Sequence, residues 1–209
     1  MRNRLNVIVL NSLILVFIIG CTNIKTKKQK SNLIIVQPII TQSDLGLNPA
    51  KINTSKKLLD KAYSKADINF HFLEPIFFNN TTARDGLINL DSIVKIANQS
   101  NLLRGQNDII NMFFVNAIDG NQGPMGRGMM NGNIVFIALE DGYKPNDKDY
   151  NFLQAFVVAH EIGHNLGLKH VVDDPNVIDS LPNIQGDGAF KDRIDPNNSL
   201  NQYQINEIQ

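Results

Sequence analysis

The pattern of apolar and polar positions divides the first part of the chain into strands and an amphipathic helix. Residues 33–40 are a β-branched run that predicts a strand, and Pro38 within it indicates an edge strand or an early end. Residues 54–67 place apolar side chains at helical spacing, which predicts a helix. Residues 68–78 again have the composition of a strand. The chain therefore begins by alternating strand and helix.

The middle of the chain continues this alternation. A helix is predicted at residues 90–97, where Asn89 or Asp91 can cap the first turn. Strands are predicted at residues 109–118 and 134–139, and a loop rich in glycine and methionine joins them. We interpret the methionines of this loop as packing filler rather than as the lining of a substrate pocket.

A long apolar helix follows, and the chain after it has little periodicity. The helical positions keep a period of 3.6 through Phe152, Ala155, Phe156, Ala159, Ile162 and Leu166. Residues 173–198 are dominated by Asp, Asn, Pro and Gly, which predicts irregular structure up to a short helix near residues 202–208. This order of elements indicates an α/β or α+β layered fold.

Three of the four histidines lie within eleven residues at the end of the long helix. Residues 160–170 read His-Glu-Ile-Gly-His-Asn-Leu-Gly-Leu-Lys-His. His160 and His164 are four residues apart, so their imidazoles project from one helix face and can converge on one Zn²⁺ ion. Gly167 can take the left-handed conformation that ends a helix, which would bring His170 back as the third metal ligand.

Glu161 is the predicted catalytic residue of this constellation. Zinc held by neutral imidazoles keeps an open position for water and lowers the pKa of that water toward about 7. A neighbouring carboxylate can take the proton and pass it to the leaving amine of a peptide bond. The sequence therefore predicts a zinc-dependent endopeptidase that uses a zinc-bound water activated by Glu161.

Composition and charge restrict the remaining alternatives. The 209 residues are 43% hydrophobic, which suits one globular domain with a core. The formal net charge is zero and the basic residues form no sustained stripe, so we expect no nucleic-acid partner. His71 alternates with apolar neighbours in a predicted strand, and we expect it to face away from any metal.

The N-terminus predicts export and a lipid anchor. Residues 1–20 have the basic start and short apolar stretch of a secretory signal. The sequence Ile-Ile-Gly-Cys that ends at Cys21 resembles the lipobox of bacterial lipoproteins. We therefore expect lipid attachment at Cys21, a lipidated tether over residues 21–32 and a peptidase domain over residues 33–209, outside the cytoplasm on a bacterial membrane or cell surface. An ordinary signal peptide or an uncleaved anchor is the alternative.

The histidine motif resembles the signature of the metzincin zinc peptidases, and most closely that of matrixin-like members. The resemblance implies an α+β fold in which a twisted mixed sheet packs on helices, with the active-site helix beneath and an irregular C-terminal subdomain. It also implies a protein or peptide substrate that pairs with an edge strand, for which residues 134–139 are the candidate. The methionine turn beneath the metal would have Ile178 in place of methionine, and Ser180 stands where some members have a tyrosine.

These two departures leave a second function open. A catalytically inactive surface lipoprotein could keep zinc for structure and act as a binding module. Retention of Glu161 favours the enzyme, because a structural zinc site needs no general base and usually has four protein ligands.

Overall fold

The computed structural model describes residues 32–52, 54–105, 109–120, 124–138, 148–174, 177, 182–186 and 190–209. In this part of the chain, six strands form one sheet. The strands are β1 (Leu33–Gln42), β2 (Asn69–Phe72), β3 (Ile76–Asn79), β4 (Ile109–Val115), β5 (Gly126–Gly128) and β6 (Ile134–Ala138). The sheet order is β2-β1-β4-β6-β5, with β3 following β2 along the same side of β1. All pairings are parallel except that of β5 with β6, so the sheet is mixed.

The edge of the sheet differs from the prediction. The strand predicted at residues 134–139 is β6, but it lies inside the sheet between β4 and β5, and its assignment as the edge strand was wrong. The edge is β5, a three-residue strand from within the glycine-rich loop. It folds back antiparallel on β6, with Arg127 opposite Phe136. A strand this short and rich in glycine has no periodic signal in the sequence.

Pro38 also lies in an interior strand rather than at an edge. The carbonyl of Val36 accepts from Leu73 N, and the carbonyl of Gln42 accepts from Asn80 N. The backbone N–H and C=O groups of the even-numbered residues of β1 therefore point toward β2 and β3. Pro38 falls at the break between these two strands, where its missing N–H costs no ladder bond. The side chain of Gln37 spans the break by donating to the carbonyl of Glu74 at 2.9 Å.

Helices cover both faces of the sheet. They are α1 (Lys56–Ala62), α2 (Thr81–Arg84), α3 (Leu90–Gln99), α4 (Lys148–Asn165), α5 (Phe190–Arg193) and α6 (Gln202–Ile208), with 3-10 turns at Ser64–Ala66 and Val171–Asp173. Alternate residues of β4 point to opposite faces. Met112 and Phe114 join the apolar core with residues of α1, α4 and α6, whereas Phe113 and Val115 pack with residues of α2 and α3.

The observed architecture is the predicted twisted mixed sheet packed on helices, with the histidine-bearing helix α4 on one face. The strand predicted at residues 68–78 is divided into β2 and β3 around Pro75. Asn89 caps α3, its Oδ1 accepting from Ser92 N at 2.8 Å. The described residues after α4 form short helices, and α6 has the predicted bounds. Among the described residues, no helix is both long and apolar enough to span a membrane.

Candidate metal centre

A sharp turn after helix α4 brings the third histidine back toward the first two. Gly167 has a φ of +96°, a conformation that glycine adopts without strain. The amide of Leu168 donates to the carbonyl of Gly163 at 2.9 Å, which closes the helix end with a bond across the turn. The chain therefore leaves the helix axis, and His170 returns alongside the helix as the spacing predicts.

The three histidine rings converge through their Nε2 atoms. Nε2 of His170 lies 3.1 Å from Nε2 of His160 and 3.1 Å from Nε2 of His164. The three residues form a group whose nitrogens all lie within 4.8 Å of one another, the only such group found among the described residues. His164 is buried and His170 is exposed, so the group faces solvent on one side. Nδ1 of His170 lies 3.5 Å from the carboxylate of Asp173.

Backbone carbonyls fix the orientation of the two helical histidines. Nδ1 of His160 lies 2.6 Å from the carbonyl of Ile184, and Nδ1 of His164 lies 2.8 Å from the carbonyl of Leu168. A carbonyl can only accept, so each Nδ1 carries the proton and each Nε2 keeps its lone pair. Burial lowers the pKa of His160 to about 4 and also lowers the pKa of His164, which keeps both rings neutral.

This donor set fits Zn²⁺. Tetrahedral zinc with Zn–N bonds of about 2.0–2.1 Å places its ligand nitrogens roughly 3.3 Å apart. The observed Nε2 separations of 3.1 Å are close to that value. His160 and His164 each direct an Nε2 lone pair toward His170, where a cation could be bound. Three imidazoles with one solvent-facing side match a zinc site that leaves a coordination position for a reactant.

The carboxylate of Glu161, the residue after His160 on helix α4, is held by the edge strand. Gly128 N donates to Oε2 of Glu161 at 2.5 Å. The residue is only 8% exposed. Burial raises the pKa of Glu161 to about 7, partly offset by the Gly128 hydrogen bond and by the charge of Arg127. A carboxyl group with a pKa near neutrality can both accept and release a proton.

Two glycines of β5 allow the edge strand to approach helix α4. A Cβ at Gly126 would lie 2.7 Å from Cγ of Glu161, and one at Gly128 would overlap the backbone carbonyl of Glu161. Any larger side chain at Gly128 would thus push the strand away from the helix. The glycines hold the sheet edge against the helix turn that carries Glu161.

A turn over residues 183–186, which we call the floor turn, lies against the other side of His160. Its Ile184 is fully buried in the same apolar core as α4. Gln185 donates from Nε2 to the carbonyl of His160 at 2.7 Å. A Cβ at Gly163 would collide with this amide, so glycine at that helix position makes room for Gln185. The floor turn therefore contacts both the ring and the backbone of His160.

The sequence model of the reprolysin-like metallopeptidase family M12B matches residues 49–171, more than half of the chain, including all three histidines and Glu161. The chain belongs to this family. The match ends just after His170, where the third predicted ligand stands. No curated protein sequence matches the chain.

Solved structures of two archaeal proteins share the fold of this M12B metallopeptidase. An archaemetzincin from Methanopyrus kandleri is 10% identical, with a TM-score of 0.52 over 86% of this chain and 96% of that one. A zinc-dependent peptidase from Methanocorpusculum labreanum is also 10% identical, with a TM-score of 0.51 over 83% of this chain and all of the other. At this identity the likeness concerns the fold alone.

The M12B chain thus combines a metallopeptidase family with a three-histidine group that suits zinc. His160, His164 and His170 come together as predicted, Glu161 follows His160 on the same helix and bonds to Gly128, and His71 is exposed on β2. Cys21, Ile178 and Ser180 lie outside the described residues, so the lipid attachment, the floor at Ile178 and the missing tyrosine stay predictions. The described turn next to His160 is the floor turn, farther along the chain than Ile178.

Sequence reasoning missed Asn165, a buried polar residue of this M12B chain. Its Nδ2 donates to the carbonyls of Met129 and Ile134 at 2.7 and 3.1 Å. These bonds fasten the turn end of the β5–β6 hairpin to the end of helix α4, and Asn131 N adds a bond to the carbonyl of His164. An asparagine on the buried face of an otherwise apolar helix is the signal that indicates such a contact.

Proposed function

We propose that this chain is a zinc-dependent endopeptidase in which His160, His164 and His170 hold the metal and Glu161 carries the proton. The observation that supports the proposal is the convergence of three Nε2 atoms at a helix that also carries the buried carboxylate of Glu161. When bound, Zn²⁺ supplies a Lewis acid that makes water more acidic and polarises a peptide carbonyl. The side chains must then position the reactants and move one proton.

Glu161 is suited to both halves of the proton transfer. Its Oε2 is occupied by Gly128 N, which leaves Oε1 to accept the proton of the attacking water. The protonated carboxyl group then gives this proton to the nitrogen of the leaving amine, so the carboxylate is restored at the end of the reaction. The hydrogen bond fixes the rotamer of Glu161 and thus keeps the proton carrier in one place.

The open edge of β5 is the proposed site for the substrate backbone. Met125 O and Met129 N bond to β6, so the alternating groups of Gly126 and Gly128 face away from the sheet. Gly128 N is bonded to Glu161 on this side, so a peptide paired with β5 would use the outward groups of Gly126 and pass beside that carboxylate. Backbone hydrogen bonds along a strand edge bind the middle of a peptide and need no free terminus of the substrate. This favours internal cleavage.

The decisive experiment compares Glu161→Ala with Glu207→Ala, the same change at an exposed position of α6. Zinc content and cleavage of casein or a mixed peptide library are measured for each. We expect Glu161→Ala to bind one zinc and to lose cleavage by at least about 100-fold, within the range typical of a lost general base. We expect Glu207→Ala to match the wild type. Undiminished cleavage by Glu161→Ala would refute this role.

The alternative of an inactive binding module gives a different result in the same experiment. A module that keeps zinc for structure would bind one equivalent of the metal and cleave none of the peptides, even as the wild-type chain. The buried carboxylate argues against this alternative, since burial raises its pKa and a structural site gains nothing from it. Internal product ends, identified by mass spectrometry, would separate an endopeptidase from an exopeptidase.

We also propose that the enzyme acts outside the cytoplasm, anchored by lipid at Cys21. The resemblance of the sequence around Cys21 to a lipobox supports this, as does the polar, lysine-bearing stretch between it and β1. Metabolic labelling with a fatty acid should mark the wild type but not Cys21→Ser, which should leave the membrane fraction. Membrane association of Cys21→Ser equal to that of the wild type would contradict the anchor.

A further inference from the structure

A chain of buried side-chain amides connects the C-terminal helix to the metal centre. Asn183 and Gln204 bond to each other twice, Asn183 Nδ2 to Gln204 Oε1 at 2.7 Å and Gln204 Nε2 to Asn183 Oδ1 at 3.2 Å. Asn183 Oδ1 also accepts from Gln185 N at 2.8 Å. Gln185 Nε2 in turn donates to the carbonyl of His160. Three side chains thus link α6 to the first histidine.

These amides are too deeply buried to be solvated surface groups. Asn183, Gln185 and Gln204 are 5%, 3% and 1% exposed. A buried amide without partners costs roughly 1–3 kcal/mol, so the paired amides of Asn183 and Gln204 favour one geometry over alternatives. Gln204 is fixed independently, because it forms a capping box with Asn201 at the start of α6. Gln204, the member of this series of amides that lies farthest from the metal centre, is therefore held in place by α6.

The near end controls the orientation of metal-binding groups. The carbonyl of Ile184, between the two amide residues, accepts from Nδ1 of His160 and so sets the tilt of that ring. The carbonyl of Gln185 accepts from the backbone N of Val171, the residue that follows His170, at 3.0 Å. A shift of the floor turn would thus move two of the three histidines together.

Resting on the proposed zinc site, we propose that Asn183, Gln185 and Gln204 are positioning residues that hold the floor turn against His160 and thereby set the affinity of the metal centre for zinc. None of the three touches the reacting atoms. Their effect passes through the ring tilt of His160 and the placement of His170. Helix α6, at the opposite end of the chain of amides, becomes part of the support of the metal centre.

Gln204→Met tests the proposal against a matched control. Methionine keeps the length and bulk of glutamine but removes both bonds to Asn183, together with the capping-box bond from Asn201 N. Gln202→Met makes the same change on the exposed side of the same helix, where the glutamine bonds to Asn206. The full chain in mild detergent is titrated with zinc against a chromophoric chelator, well below its melting temperature.

We expect Gln204→Met to raise the zinc dissociation constant about tenfold, the lower end of the effect typical of residues behind metal ligands. Its Co²⁺ form should show an altered visible absorption spectrum, which reports ligand geometry. Gln202→Met should match the wild type in both measurements. A Gln204→Met protein that melts earlier but keeps the wild-type zinc affinity and Co²⁺ spectrum would overturn the proposal, because its role would then be stability alone.

Gln185→Met provides the second test if Gln204→Met does not fold. It removes only the bond to the carbonyl of His160 and should weaken zinc binding about tenfold or more. Unchanged affinity in this variant would also overturn the proposal. These readouts do not depend on turnover. A wild-type chain that binds zinc but cleaves no peptide would refute the proposed function and leave the positioning role standing.

Discussion

The backbone amide of Gly128 donates to the buried carboxylate of Glu161, so the edge of the sheet and the metal-binding helix meet at the proposed proton carrier. The contact requires glycine, because a Cβ at this position would overlap the carbonyl of Glu161. One residue of β5 therefore performs two tasks. It orients the carboxylate, and it keeps the open strand edge within reach of the metal centre.

Gly128→Ala should separate catalysis from metal binding. The added methyl group pushes β5 away from helix α4 and removes the hydrogen bond to Glu161, while the histidines keep their own carbonyl partners. We expect kcat/KM for a peptide to fall by about 100-fold, as small misplacements of catalytic groups do, with zinc affinity within a few-fold of the wild type. Gly105→Ala is the control, since its Cβ would meet nothing within 4 Å. Equal loss in both variants would contradict this explanation.

Gly167→Ala should damage the metal centre through the backbone. An alanine at a φ of +96° is strained by about 1–3 kcal/mol, and its Cβ would also lie 2.7 Å from Oδ1 of Asn131. Because this turn brings His170 back to the helix, we expect a lower melting temperature together with weaker zinc binding. Calorimetry with and without zinc measures both. A variant that loses stability yet binds zinc as tightly as the wild type would show that the turn does not place His170.

The parts of the site that follow one helical period could be predicted from the sequence. His160, Glu161 and His164 lie on one helix, and Gly167 decides where His170 goes, so spacing alone gives their convergence. The contributions of β5 and the floor turn depend on contacts between segments far apart in the sequence. Gly128 and Gln185 carry no local pattern that indicates Glu161 or His160 as their partner.

The fold shows the same division. An element with a clear apolar period was predicted close to its observed bounds, as for α3. The short helix predicted near the C-terminus is α6. The order of strands in the sheet was not predicted, because strand pairing depends on the whole set of elements. Pro38 shows this well, since an interior strand tolerates proline only where its neighbour happens to be interrupted.

Replacing single histidines should show which of them bind zinc and which do not. His164→Ala removes one of three converging nitrogens, so we expect its zinc affinity to fall by at least about 100-fold and its cleavage to be lost at limiting zinc. His71→Ala changes an exposed residue of β2 and should retain one zinc and full cleavage. Zinc stoichiometry after dialysis measures both. Zinc loss from His71→Ala, or its retention in His164→Ala, would contradict the assignment of the ligands.

Burial of Glu161 should make the stability of the metal-stripped protein depend on pH. Its pKa is raised from 4.5 to about 7, so the folded state holds a proton that the unfolded state releases between these values. The stabilisation from the protonated form is complete below about pH 4.5 and is lost as the pH rises through about 7. Glu161→Gln, which cannot ionise, lacks this contribution at every pH.

The prediction concerns the difference between the two proteins. From pH 4.5 to 7, the free energy of unfolding of the stripped wild type should fall relative to Glu161→Gln by up to about 3 kcal/mol. The lowered pKa of His160 acts in the opposite direction as the pH rises from about 4 to 6.5, but it is present in both proteins and cancels in the difference. Denaturant titrations of both proteins in the presence of a chelator measure this difference in the free energy of unfolding. A difference that does not change with pH would mean that the carboxylate is solvated in the folded protein.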